Sequence, residues 1–110
     1  MSNEDVLFRL SETLASRRNA DPKTSYTAKL FAKGPDSILK KIGEESAELI
    51  MAAKDGKRVN IVYESADVLY HMMALLTFYG IGIEDVLKEL QRREGTSGID
   101  EKKSRPAKQE

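Results

Sequence analysis

One acidic stretch organises this chain: residues 39–48 read Leu39-Lys40-Lys41-Ile42-Gly43-Glu44-Glu45-Ser46-Ala47-Glu48. The pattern predicts a helix that carries three carboxylates within two turns. A second acidic pair, within Glu64-Ser65-Ala66-Asp67, follows after a gap of 15 residues. Because side chains three positions apart share one face of a helix, each pair points in one direction from its helix. We expect these two helix faces to meet.

Length and composition limit the class of protein. The chain has 110 residues, a net charge of zero and no cysteine. This length predicts one domain, and zero net charge gives no reason to expect a nucleic-acid or membrane partner. The lack of cysteine excludes a disulfide scaffold, a thiolate zinc site and a cysteine nucleophile, and it is typical of a cytoplasmic protein.

Helical periodicity predicts an all-α bundle of four to five helices. The expected segments are roughly 3–17, a short helix from Ser25 that ends before Gly34, a long helix to Asp55, then 58–79 and 83–93. The expected end signals are Ser2 or Asn3 for the first helix, Asp36 or Ser37 for the start of the long helix, and Gly56 for its end. We expect a helical domain over 1–94 and a flexible tail over 95–110, where the composition becomes polar.

The 58–79 segment is apolar around most of its circumference. Its one polar stripe consists of Asn60, Glu64, Asp67 and His71. A helix this apolar is expected to be buried on most sides. Four short neighbours cannot easily cover so much apolar surface, so we expect a homodimer.

Four carboxylates on two facing helices must be protonated or neutralised. Oxygen-ligated divalent cations are natural neutralisers, and Mg²⁺ typically combines a few carboxylates with waters and substrate phosphates. Lys41 lies one turn before Glu45 on the same stripe, where it can meet a phosphate oxygen. The pattern therefore favours a magnesium site that handles a phosphorylated substrate.

The residues alone also allow other interpretations of the acidic pairs. A Glu-x-x-Glu pair on a helix is most often solvent-exposed and inert, which would fit a non-catalytic helical dimerisation module. A carboxylate-bridged di-iron bundle needs two Glu-x-x-His motifs, and this chain has one histidine and neither motif. A lone histidine on a mostly apolar helix, such as His71, is more often a hydrogen-bonded core residue than a metal ligand.

Glu44-Glu45-x-x-Glu48 followed by Glu64-x-x-Asp67 resembles the signature of the MazG-like all-α nucleoside triphosphate pyrophosphohydrolases. The surrounding sequence is similar to one family within this group, phosphoribosyl-ATP pyrophosphohydrolase, which catalyses the second step of histidine biosynthesis. The similar segments are 25–30, Gly34, 38–45, 64–71, 85–93 and 97–105.

This resemblance implies Mg²⁺-dependent hydrolysis of 1-(5-phosphoribosyl)-ATP to the AMP form and pyrophosphate by a homodimer. The implied site residues are Glu45, Glu48, Glu64 and Asp67 as metal ligands, Glu44 as a catalytic acid that positions water, and Lys41, Lys40 and Arg105 as phosphate-binding residues. The alternative substrate class is an ordinary nucleoside triphosphate, as in house-cleaning enzymes. Segments 25–30 and 97–105 argue against that alternative.

Overall fold

The computed structural model describes residues 3–106, except for the side chain of Glu4. The described elements are a 3₁₀ turn (Asn3–Asp5), α1 (Val6–Arg17), α2 (Tyr26–Lys33), α3 (Pro35–Asp55), α4 (Arg58–Phe78), α5 (Ile83–Arg93) and α6 (Gly98–Ser104). Within this range there is no β-strand, which confirms the predicted all-α class. The described residues form six α-helices rather than the predicted four to five, because α6 was not predicted.

The start of α1 differs from its prediction. The first three described residues form a 3₁₀ turn, and the α-helix begins only at Val6. Asp5 stands at the cap position but makes no side-chain capping bond, and the predicted cap Ser2 lies outside the described residues. By contrast, the Ser25 side chain accepts a hydrogen bond from the backbone N–H of Ala28, which fixes the start of α2 where the sequence predicted it.

α2 and α3 form a tight hairpin around Gly34. Pro35 occupies the first turn of α3, where its missing N–H costs no helical hydrogen bond. The helix therefore starts just before Asp36 and Ser37, which were expected to cap it. Gly34 joins the two helices at a φ of 89°, in the left-handed region that favours glycine. Gly56 ends α3 in the left-handed conformation, as predicted.

The core surrounds the C-terminal half of α4. One buried cluster contains Leu30, Phe31, Ile38 and Ala74, and a second contains Leu14, Met73 and Ile83. These clusters include residues from α1, α2, α3 and α5. This arrangement holds α3 antiparallel to α4 across the length that carries the acids.

The N-terminal half of α4 is exposed in one copy of the chain, as expected if the neighbouring helices cannot cover all of its apolar surface. Val59 is 79% exposed and Tyr63 is 65% exposed. Both belong to a stripe whose continuation, Tyr70 and Met73, is covered by α1 and α5. One copy of the described chain therefore leaves part of the apolar surface of α4 exposed.

α6 packs against α5 through charged side chains. Glu101 is only 4% exposed, and its carboxylate lies 2.7 Å from both the Arg92 and Arg105 guanidinium groups. The segment 95–110 thus contains a helix that the sequence analysis did not anticipate. The division into a domain over 1–94 and a flexible tail stays a prediction, and residues 107–110 lie outside the described range.

Taken one at a time, the described helices are too short or too polar to cross a membrane. Only α4 and α5 together reach the necessary length and composition, and they are bent by 113° relative to each other.

Candidate active site

Three carboxylates converge between α3 and α4. Glu45 and Glu48 stand on α3, and Glu64 faces them from α4. One carboxylate oxygen from each lies within 4.8 Å of the other two. We call these three residues the acidic cluster. The acid-bearing faces of α3 and α4 therefore meet, as the spacing of these glutamates predicted.

The charge of the acidic cluster is offset only in part, because Lys41 acts on Glu45 without forming an ion pair with it. Burial raises the pKa of Glu45 above its usual value, and the charges of Glu48 and Asp67 raise it further. Burial also raises the pKa of Glu64, together with a hydrogen bond and charge repulsion from Glu48. Among the described residues, no lysine or arginine forms an ion pair with these three carboxylates.

Two oxygens of the cluster lack any partner. Oε2 of Glu45 and Oε2 of Glu64 are buried, and neither accepts a hydrogen bond within the described part of the chain. Burying an oxygen that bears negative charge without a partner is costly. A hard divalent cation fits such a set of ligands, because Mg²⁺ prefers carboxylate oxygens. The residues present are therefore suited to the metal that the sequence pattern favours.

Asp67 lies beside the cluster rather than within it. Its charge contributes to the raised pKa values of Glu45 and Glu64, but its carboxylate is not among the three that converge within 4.8 Å. Its backbone carbonyl accepts a hydrogen bond of 2.8 Å from Nδ1 of His71. The structure thus brings three of the four expected ligands together and places the fourth close by.

His71 links Asp67 to Tyr26. The imidazole is 6% exposed, and its Nε2 lies 2.8 Å from the Tyr26 hydroxyl. Because Nδ1 donates to a carbonyl, Nε2 of the neutral ring must accept the hydroxyl proton of Tyr26. The Tyr26 side chain is half exposed, but its hydroxyl reaches the buried imidazole. The interpretation of His71 as a hydrogen-bonded buried residue is confirmed.

A basic groove adjoins the acidic cluster. It is a cavity of about 280 Å³ between α2 and α3. Four of its lining residues are lysines, and we call these the lysine groove: Lys29, Lys33, Lys40 and Lys41. Tyr26 and Glu44 line its end nearest the cluster, and Ser37 lines its other end. Cations beside partly compensated carboxylates suit a ligand that carries both phosphate and metal.

The remaining predicted residues fall in two places. Glu44 lies in the groove with its carboxylate 3.9 Å from the ammonium of Lys40, and both side chains are exposed. Lys41 lines the same groove, and its charge acts on both Tyr26 and Glu45. Arg105 instead hydrogen-bonds Glu101 on α6, and no contact links it to the acidic cluster within the described range.

The sequence analysis missed half of the lysine groove. Lys29 and Lys33 stand four residues apart on α2 and were given no role from the sequence, and Ser37 was treated only as a cap. The signal was present in that spacing, because two cations on one helix face gain from a shared anion. What the sequence could not show is that the Gly34 hairpin folds this edge against Lys40 and Lys41.

Comparison with known proteins agrees with this geometry. The sequence profile described as phosphoribosyl-ATP pyrophosphohydrolase matches residues 7–94. The chain is 74% identical over 108 residues to a phosphoribosyl-ATP pyrophosphatase of Dechloromonas aromatica, covering 98% of this chain and 100% of the relative. It is 54% identical over 105 residues to a protein of the same name from an Azoarcus species, covering 96% and 98% respectively.

A similarly named protein of Bordetella avium is 57% identical over 106 residues, covering 94% of this chain and 91% of the relative. These likenesses extend over nearly the full length of both partners, and they include the helices that carry the acidic cluster and the lysine groove. The chain therefore belongs to the phosphoribosyl-ATP pyrophosphohydrolase family.

Proposed function

We propose that this chain hydrolyses phosphoribosyl-ATP to phosphoribosyl-AMP and pyrophosphate, as a step of histidine biosynthesis, at the acidic cluster between α3 and α4. The observation that carries the proposal is the convergence of Glu45, Glu48 and Glu64 within 4.8 Å, with two buried oxygens unpartnered. A structural role would not explain this arrangement, because it destabilises the folded chain unless something neutralises it.

Mg²⁺ is the cation that we assign to the cluster, with Glu45, Glu48, Glu64 and Asp67 as its proposed ligands. When bound, Mg²⁺ supplies charge neutralisation for phosphate oxygens and for a pyrophosphate leaving group. The chain prepares this chemistry by holding α3 and α4 antiparallel, so that the carboxylates are positioned before substrate arrives.

The cations of the groove supply the complementary part of the site. Lys41 lies where its ammonium can bind a phosphate oxygen of a triphosphate whose other oxygens face the acidic cluster. Lys40 lies one position before it and can do the same once it leaves Glu44. Glu44 would then be free to accept a hydrogen bond from the attacking water, which is the role we propose for it. Arg105 uses Nε and Nη2 to bind Glu101, so in the phosphate-binding role proposed for it the remaining guanidinium N–H groups would face the phosphate.

Pyrophosphate release tests the proposal directly. Purified protein with phosphoribosyl-ATP and Mg²⁺ should release pyrophosphate, and removal of the divalent cation with a chelator should abolish the release. Glu64→Gln should lose the activity while keeping its helical circular dichroism spectrum. A folded wild-type protein that releases no pyrophosphate from this substrate, or a Glu64→Gln variant that keeps the wild-type rate, would contradict the proposal.

We further propose that the functional unit is a homodimer working in the cytoplasm. The support comes first from α4: Val59, Val62, Tyr63 and Ala66 recur at helical spacing and are all exposed. On α3, Ile50 and Met51 are also more than half exposed, beside the same end of the hairpin. Contiguous apolar surface of this kind marks protein interfaces.

Two global quantities support the same proposal. The accessible surface is 8384 Å², whereas a compact monomer of this mass exposes about 6,100 Å². The radius of gyration is 16.1 Å, against about 13 Å for a compact domain of this length. A second copy seated on the α3–α4 face would cover part of this excess surface. Light scattering at micromolar concentration should give the dimer mass, and Val62→Glu should shift it toward the monomer; a monomeric wild type would contradict this proposal.

A further inference from the structure

The lysine groove extends well beyond the acidic cluster. Lys41 and Glu44 lie at the end beside Glu45, whereas Lys33 and Ser37 lie at the hairpin end. Ser37 precedes Glu45 by eight positions in one continuous helix, which corresponds to about 12 Å along the axis. A charge-assisted hydrogen bond spans only about 2.8 Å, so one phosphate group cannot engage both ends.

The hairpin end is also the more strongly cationic end. Lys40 has Glu44 as its ion-pair partner at 3.9 Å, but no carboxylate of the described residues lies within ion-pair distance of Lys29 or Lys33. The two lysines are one helical turn apart on α2 and face the same cavity. Their positive charge therefore has no partner supplied by the fold, and the Ser37 hydroxyl beside them can donate a hydrogen bond.

The substrate has two phosphate-bearing ends. Its triphosphate is cleaved, and we place that end at the acidic cluster; its phosphoribosyl group carries a separate phosphomonoester that the reaction leaves intact. A phosphomonoester bears a charge of about −1.5 to −2 at pH 7 and three acceptor oxygens. An ordinary nucleoside triphosphate lacks this second anion.

We propose that Lys29 and Lys33, with Ser37, bind the phosphomonoester of the phosphoribosyl group, so that the hairpin end of the groove selects phosphoribosyl-ATP over ATP. The inference rests on the proposed function, because it requires the triphosphate to lie at the acidic cluster. It assigns the two ends of one substrate to two ends of one groove. Lys29 and Lys33 are then specificity-determining residues that take no part in the chemistry.

The test compares three proteins: wild type, the double variant Lys29→Gln/Lys33→Gln, and the matched control Lys88→Gln/Lys103→Gln, which removes two exposed lysines outside the groove. For each, kcat/KM with phosphoribosyl-ATP and the inhibition constant of ATP against that reaction are measured. ATP shares the triphosphate but not the second phosphate, so it reports on the acidic end alone.

We expect the groove variant to lose roughly 10- to 100-fold in kcat/KM, the effect of one to two charge-assisted hydrogen bonds. Its inhibition constant for ATP should stay at the wild-type value, and the control should match wild type in both quantities. An unchanged kcat/KM would overturn the inference, as would an equal weakening of ATP inhibition, which would place the lysines on the shared triphosphate. Failure of the proposed function looks different, because it would appear as an inactive wild type or an active Glu64→Gln variant.

Discussion

Two glutamate clusters in this small chain have opposite electrostatic settings. At the C-terminal end, Glu89 and Glu101 are surrounded by Arg92, Arg93 and Arg105, and every ion pair is supplied by the chain itself. The Arg92 and Arg93 guanidinium groups lower the pKa of Glu89 to about 2. Between α3 and α4, by contrast, the pKa values of Glu45 and Glu64 are raised and no cation of the described chain pairs with them.

This difference in pairing distinguishes carboxylates with a structural role from carboxylates with a functional role. Carboxylates that the chain neutralises with its own arginines hold α6 on α5. Carboxylates that it leaves only partly compensated are a cost to the folded state, so their retention points to a ligand that neutralises them. Both clusters contain Glu residues on helices, and only their surroundings tell them apart. The predictions below test that contrast.

The largest expected effect is on activity. Glu64→Gln should lower the rate of pyrophosphate release by at least about 100-fold, since even residues that only support a metal ligand are worth 10- to 100-fold. Glu101→Gln should leave the rate within a few-fold of wild type. Steady-state assays at saturating Mg²⁺ measure both. Equal losses in the two variants would remove the functional distinction between the clusters.

A smaller effect is expected on the docking of α6. Glu101→Gln removes the carboxylate of α6 that accepts hydrogen bonds from Arg92 on α5 and from Arg105, just after α6. Amide hydrogen exchange in 98–104 should then accelerate by roughly tenfold or more, the equivalent of one charged hydrogen bond. Glu64→Gln serves as the control and should leave α6 exchange unchanged. Protection of α6 that survives Glu101→Gln would show that the arginines do not depend on this carboxylate.

Acidification should affect the clusters in opposite directions. Glu89 has a lowered pKa in the folded chain, so its stabilisation is complete above its ordinary pKa of 4.5 and is lost as the pH falls toward about 2. The pKa of Glu101 is lowered as well, mainly by its hydrogen bond with Arg105. Glu45 and Glu64 have raised pKa values, so the metal-free α3–α4 hairpin gains stability as the pH falls through those values toward 4.5.

Exchange rates measured without metal between pH 7 and pH 3 check this contrast, after correction for intrinsic exchange. Protection of α3 and α4 should rise first, and protection of α6 should fall at lower pH. A common loss of protection in both regions, starting from neutral pH, would contradict the assignment of opposite pKa shifts.

The smallest effect is on the melting temperature of the metal-free protein. Glu64→Gln replaces a charged carboxylate by a neutral isostere where charges repel, so it should raise the melting temperature by a few degrees at pH 7. Glu101→Gln should lower it. Differential scanning calorimetry in the presence of a chelator measures both shifts. A lower melting temperature for Glu64→Gln would indicate that the acidic cluster is a structural element.

The sequence alone identified most of the helices and the convergence of the acids. The i,i+3 spacing of Glu45 and Glu48 placed both on one face because a helix fixes which face a side chain occupies, whereas the same spacing did not bring Asp67 into the cluster with Glu64. Gly56 and Ser25 marked helix ends for equally local reasons. These features depend on near neighbours in the chain, so they can be read without coordinates.

Features that depend on distant contacts were missed. A hydrogen bond joins Tyr26 to the buried His71, which lies 45 residues away in the chain. α6 forms although its composition is polar, because Glu101 finds arginines on α5. Periodicity carries no information about either of these pairings.

The most direct test of the central claim is a Mg²⁺ titration of thermal stability in the wild type, Glu64→Gln and Glu101→Gln. Binding to the folded state alone should raise the free energy of unfolding of the wild type by about 2.7 kcal/mol at a Mg²⁺ concentration one hundred times the Kd. Glu101→Gln should show the same increment, and Glu64→Gln should show almost none. An increment that is absent from the wild type, or that persists undiminished in Glu64→Gln, would contradict the account.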